Sequence, residues 1–252
     1  MPARHPRLSF TKFLLPKEGA RADECEDAIG ADTSALRFAV ADGATEAFDS
    51  GSWARSLAEG WAAPAGPAPG AESLGRWAAA EGARLHEAWE GKELPWYAEE
   101  KRRAGSFAAF VGLAFEVGED LALRFRAVAL GDSCLFHLRG GELLAAVPVS
   151  RPEDFNSAPV LLPSREDLRD AAVARAVALE GEARAGDLFL LASDAAAAWF
   201  LSAWGGRPTL LERFDSLLAA SENEALAALL RAERSEGRLK DDDVAVLRIV
   251  VG

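Results

Sequence analysis

The 252-residue chain is half hydrophobic and carries 28 basic against 40 acidic residues, a formal net charge of −12. Such a composition supports a sizeable buried core and excludes global disorder. The acidity argues against a nucleic-acid partner, which would need a basic footprint. The two cysteines, Cys25 and Cys134, lie outside any CxxC or histidine cluster, so a disulfide framework is excluded and a zinc site is not expected.

The N-terminal stretch Met1-Pro2-Ala3-Arg4-His5-Pro6-Arg7 is not followed by a signal-peptide apolar segment, and there is no apolar run long enough to span a membrane. A soluble, cytoplasmic protein without membrane attachment is the expectation. Leu8–Leu15 reads as a first strand, and Leu36–Ala41 as a second that ends on Asp42-Gly43, with Glu26-Asp27 in the turn region before it. Ser52 is a plausible N-cap for a helix carrying Trp53, Leu57 and Trp61 on one face. The Pro/Gly-rich stretch from Ala62 to Gly70 is a loop, and Leu74, Trp77, Ala78, Leu85, Ala88 and Trp89 then follow helical spacing.

Ser106–Val117, Leu121–Leu130 and Cys134–Leu138 read as three strands, and an Arg139-Gly140-Gly141-Glu142 turn leads into Leu143–Val149 as a hairpin. Arg151–Ala171 is irregular at first and turns helical from about Ser164. Asp187–Ala192 is a buried strand, two amphipathic helices cover Pro208–Glu233, and Val244–Val251 is a final strand. No composition shift divides the chain, so residues 1–252 read as one domain. The expected fold class is α+β, with two antiparallel sheets packed face to face and helices outside.

Four acidic sites share one context. Asp42 follows LRFAVA, Asp132 follows AVALG, Asp194 follows DLFLLAS, and Asp242-Asp243 precede VAVLRIVV. Singly, an Asp-Gly after a strand is ordinarily a turn, Asp194 a helix N-cap and the Asp241–Asp243 run a solvated loop. A carboxylate at the end of a buried strand is costly to desolvate unless something compensates it. Several converging at one end of a sandwich would repel one another unless multivalent cations lay among them, and hard oxygen ligands select Mg²⁺ or Mn²⁺.

These motifs, with Cys25-Glu26-Asp27-Ala28, occur in the order and spacing of the metal-dependent protein phosphatases of type 2C, the PPM family, and the chain resembles a bacterial subgroup of it from Phe10 to Val251. The resemblance implies a β-sandwich flanked by helices, with two to three Mg²⁺ or Mn²⁺ ions at one end. It implies that Asp42 bridges two ions, that Gly43 offers its carbonyl, and that Asp194 and Asp242 bind the second ion. Asp132 would help hold a third, and Glu26 and Asp27 would support metal-bound waters. The implied reaction is hydrolysis of phosphoserine or phosphothreonine by direct in-line attack of a metal-bridging water. The implied partner is a phosphorylated protein, in opposition to a Ser/Thr kinase.

Three positions depart from the family pattern. Ala44 stands where many members have His, and Ala195 where Gly is usual. The phosphate-binding Arg has no clear counterpart, Arg21 being preferred over Lys17 because only Arg can clamp phosphate bidentately. His5, His86 and His137 lie outside the motifs. The alternatives are a phosphatase-like pseudoenzyme that binds phosphoproteins without turnover, and a hydrolase of a small phosphorylated metabolite.

Overall fold

The computed structural model describes residues 7–91, 95–155 and 158–252; His5 and the N-terminal stretch before Arg7 lie outside them. The chain runs β1 (Leu8–Leu15), β2 (Asp27–Asp32), β3 (Arg37–Gly43), α1 (Ser50–Ala62), α2 (Ala71–Trp89), α3 (Trp96–Ala104), β4 (Phe107–Val117), β5 (Leu123–Leu130), β6 (Cys134–Arg139) and β7 (Glu142–Val147). It continues with β8 (Leu162–Pro163), α4 (Glu166–Val173), β9 (Val177–Ala183), β10 (Leu188–Ala192), α5 (Asp194–Trp204), α6 (Pro208–Ala219), α7 (Asn223–Ser235) and β11 (Val244–Val251). One sheet has the order β1-β11-β10-β6-β7 and the other β2-β3-β4-β5-β9, with β8 added beside the start of β4. The pairings are antiparallel throughout.

The period-2 pleat decides which layer each side chain joins. On β3, Phe38 and Val40 enter the layer between the sheets, where they meet Val111, Leu113, Phe189, Leu191, Leu247 and Ile249. Ala39 and Ala41 point the other way, to Trp53, Leu57, Trp61 and Leu74 of α1 and α2. Both faces of β3 are therefore buried, which is why LRFAVA is an unbroken apolar run. The outer face of the other sheet, with Phe136 of β6, is covered by α5, α6 and α7 through Phe200, Phe214, Leu226 and Leu230. The two sheets with helices on both outer faces are the expected α-β-β-α sandwich.

Several local expectations need correction. Asp27 opens a strand rather than lying in a turn: DAIGAD is a poor strand former by composition, yet it pairs along its whole length with β3. Gly30 explains its composition, because a Cβ there would lie 1.8 Å from the Ala58 carbonyl oxygen of α1. Helix α1 begins at Ser50 behind Asp49, not at Ser52; the Asp49 carboxylate instead accepts the Trp89 indole N–H at 2.9 Å, tying α1 to α2. Helix α3 and the charged edge strand β9 have no matching expectation, since neither carries a clean apolar stripe. No helix among the described residues is long and apolar enough to cross a membrane.

Candidate metal centre

The pleat also aims the first carboxylate. Asp42 follows Phe38 and Val40 on the same face of β3, so it emerges where the inter-sheet core ends. Its register partner on β2 is Asp27, placing the two carboxyl groups side by side on one face. Strand β5 ends on Leu130, and Gly131, with φ of +94°, turns the chain so that Asp132 follows at once; a Cβ at Gly131 would also meet the Ala109 side chain at 2.6 Å. Strand β10 ends on Ala192, and Asp194 is the first residue of α5, where a carboxylate faces the positive end of the helix.

Asp42, Gly43, Asp132, Asp194 and Asp242 thus line one cleft of about 230 Å³, together with Ala44, Thr45, Ala109, Pro159, Leu161 and Lys240. Pro159 and Leu161, just before β8, border the cleft. Among the described residues no three Asp, Glu, His or Cys side chains close around a single point as a finished cage. The carboxylates instead border an open cleft.

The consecutive aspartates before β11 divide the work. Asp241 accepts the Glu18 N–H at 2.9 Å. Asp243, 4% exposed, accepts the backbone N–H groups of Lys17 and Glu26, both at 2.8 Å, and so clasps the segment after β1 and the entry to β2. Only Asp242 faces the cleft. Its backbone carbonyl is held by the guanidinium of Arg234, which also donates to the Pro16 carbonyl at 2.9 Å.

Negative charge dominates the electrostatics of the cleft. Burial, then repulsion from Asp27, Asp194, Asp132 and Asp242, holds the Asp42 carboxyl well above the usual carboxylate range. Burial likewise raises Asp27, against a favourable hydrogen bond from Ser193 and with added repulsion from Asp243. Asp132 is pushed up to about 6, first by burial and then by Asp194. Asp27 Oδ2 is buried without a hydrogen-bond partner. A set of hard oxygen donors, mutually repelling and with one buried oxygen unsatisfied, fits Mg²⁺ or Mn²⁺ and does not fit a softer metal. Among the described residues the cation lining this cleft is Lys240, whose ammonium is 2.7 Å from Asp242 Oδ2 and 3.0 Å from Asp194 Oδ2.

Other sequence candidates stand apart. Glu26 does not line the cleft; it accepts the Ser50 hydroxyl at 2.5 Å and pairs with Lys17 at 3.3 Å. Arg21 is exposed and paired with Asp23 at 2.8 Å, so the structure does not bring it to the cleft. Arg238, together with Phe155 and Lys240, borders an adjoining groove of about 380 Å³ that shares Asp132 and Asp194. Burial pushes the thiols of Cys25 and Cys134 up to about 12, which disqualifies them as nucleophiles. His86 bonds the Ser164 hydroxyl at 3.0 Å and His137 bonds Asp187 at 2.9 Å, both away from the cleft. Ala195 is accommodated because it sits inside α5, its N–H on Asp194 Oδ1. Lys240 escaped the sequence reading; the signal was a lone cation opening an acidic run, Lys240-Asp241-Asp242-Asp243.

No protein-family model and no curated protein matches the sequence. Solved structures do match over nearly the full length. The catalytic domain of the serine/threonine protein phosphatase PstP, in complex with two manganese ions, superposes with a TM-score of 0.64 at 20% identity, covering 98% of this chain and 99% of that one. The PPM Ser-Thr phosphatase MsPP from Mycobacterium smegmatis, in complex with cacodylate, gives 0.54 at 18% identity over 98% and 99%. The photosystem II phosphatase PBCP gives 0.59 at 15% identity over 97% and 99%. The chain therefore has the fold of the PPM-type phosphatases.

Proposed function

We propose that this chain is a divalent-cation-dependent phosphatase of phosphoserine and phosphothreonine in proteins, built as one catalytic domain spanning residues 1–252. The observation that carries the proposal is the convergence of Asp42, Asp132, Asp194 and Asp242 on one cleft, with Asp27 buried behind Asp42. In this reading Asp42, the Gly43 carbonyl, Asp194 and Asp242 hold two ions, and Asp132 contributes to a third. Bound Mg²⁺ or Mn²⁺ supplies Lewis-acid activation of a water and offsets the charge of a phosphate dianion.

The chain's own groups make that site stiff. Asp243 locks the entry to β2 by accepting the Glu26 N–H, so Asp27 is held opposite Asp42. Glu26, just before β2, is fixed by Ser50 of α1 and by Lys17 and does not line the cleft. Lys240 is the cation that borders the approach of a phosphate, in place of Arg21, whereas Arg238 in the adjoining groove is committed to Glu233 at 2.8 and 3.0 Å. A soluble cytoplasmic enzyme opposing a Ser/Thr kinase is the setting this chemistry suits. The test is hydrolysis of para-nitrophenyl phosphate and phosphothreonine peptides. Activity is expected with Mn²⁺ or Mg²⁺ and expected to vanish in Asp42→Asn and Asp194→Asn, whereas undiminished activity in excess chelator overturns the assignment.

A further inference from the structure

Each of the two carboxylates on the Lys240 side of the cleft has one oxygen committed to the backbone. Asp194 Oδ1 accepts the Ala195 N–H at 2.5 Å, and Asp242 Oδ1 accepts the Asp243 N–H at 3.0 Å. The remaining oxygens, the two Oδ2 atoms, both belong to the Lys240 ammonium, at 3.0 and 2.7 Å. A divalent ion drawn to this pair therefore meets a cation already seated on the same oxygens.

We propose that Lys240 is a tethered monovalent cation that occupies the Asp194–Asp242 position, and that a divalent ion binds there only by displacing it. The inference rests on the metal-binding reading of the cleft and concerns a residue outside the proposed metal ligands. A lysine suits the role. Its ammonium is a compact point charge on a flexible stem, so it can leave without moving backbone, where a forked guanidinium would be held by its geometry. There is space to receive it, because Lys240 also lines the adjoining groove of about 380 Å³ bounded by Ala198, Trp199 and Ser202. Two consequences follow. The metal-free protein keeps Asp194 and Asp242 together without an ion, and divalent affinity is set below what the carboxylates alone would give.

The experiment is calorimetric titration of the full chain with MnCl₂, with melting in EDTA as a second readout, for wild type, Lys240→Met and Lys240→Arg. Removing a unit charge a few ångströms from a divalent ion in a partly hydrated cleft raises affinity about tenfold. Lys240→Met is therefore expected to bind Mn²⁺ about tenfold more tightly and to melt lower in EDTA, where Asp194 and Asp242 lose their counter-charge. Lys240→Arg retains the charge on a group that leaves less readily and is expected to bind Mn²⁺ no more tightly than wild type. Unchanged or weaker Mn²⁺ binding by Lys240→Met, with wild type binding normally, overturns the competition and leaves the metal site standing. Absence of Mn²⁺ binding in wild type and Lys240→Met alike overturns both. A raised KM for phosphopeptide with no change in Mn²⁺ affinity identifies Lys240 as a substrate contact and also refutes the competition.

Discussion

Neutralising one carboxylate of the facing pair separates stability from metal binding in a way that can be measured. Asp27 and Asp42 are register partners, and antiparallel partners have Cα atoms about 4.5–5.5 Å apart. With both carboxylates ionised and their charges about 5 Å apart, the repulsion is roughly 3 kcal/mol at an effective dielectric of about 20, and partial protonation and hydration reduce this to about 1–3 kcal/mol. Asp42→Asn removes that repulsion together with the weaker terms from Asp194, Asp132 and Asp242. In EDTA the variant is therefore expected to be more stable than wild type by about 1–3 kcal/mol, or roughly 2–10 °C for a domain of this size. Mn²⁺ at about a hundredfold above its dissociation constant stabilises wild type by about 2.7 kcal/mol, and the variant is expected to gain almost none of this. Thermal melting of both proteins in EDTA and in Mn²⁺ gives the four values needed. A variant that melts below wild type in EDTA, yet retains a full Mn²⁺ shift, refutes the reasoning.

Two further expectations concern the frame. Gly30→Ala places a methyl group 1.8 Å from the Ala58 carbonyl and must push α1 off β2, so the urea midpoint is expected to fall by the equivalent of about 3 kcal/mol; a loss below about 1 kcal/mol would mean the helix yields freely. At the opposite end of the sandwich Asp187 is fully buried, accepting Arg139 at 2.6 and 2.8 Å, His137 at 2.9 Å and the Arg184 N–H at 2.9 Å. Burial pushes this carboxyl up, but the guanidinium, the Arg184 N–H and the imidazole outweigh it and leave its pKa at about 2. Because the folded value lies below the unfolded one of about 3.9, the stabilisation is complete above about pH 5 and fades as pH falls toward 2. Arg139 is a third exposed, so screening limits the contribution to about 1–2 kcal/mol. Asp187→Asn is expected to cost that much at pH 7 and visibly less at pH 3 by denaturant titration; a penalty independent of pH would contradict the ion-pair account.

The long apolar strands were legible one by one. Leu8–Leu15 and Val244–Val251 match their sequence expectations residue for residue, and LRFAVA reads as a buried strand because both its faces are covered. What escaped was held by tertiary contact rather than by its own pattern. β2 is a strand only because β3 pairs with it and α1 packs on Gly30, and β9 is an edge strand whose exposed charges hide its alternation. The helix start at α1 escaped for a similar reason: Asp49 takes the Trp89 indole instead of capping in the usual way.

The sequence by itself determined that aspartates 42, 132, 194 and 242 stand at the ends of strands, since that follows from local hydrophobic pattern and the residues that interrupt it. Only the tertiary structure decided that these ends meet. The first and last strands of the chain pair, β11 lies between β1 and β10, and side-chain parity on β3 aligns Asp42 with the inter-sheet core. It also decided between neighbours that look alike on paper. Of three consecutive aspartates, 241 and 243 clasp backbone N–H groups and 242 faces the cleft, while Lys240 reaches two carboxylates that are 46 and 2 residues away in sequence. Local pattern sets the periodicity of a strand, but long-range pairing sets which charges become neighbours, and the chemistry of this cleft depends on the second.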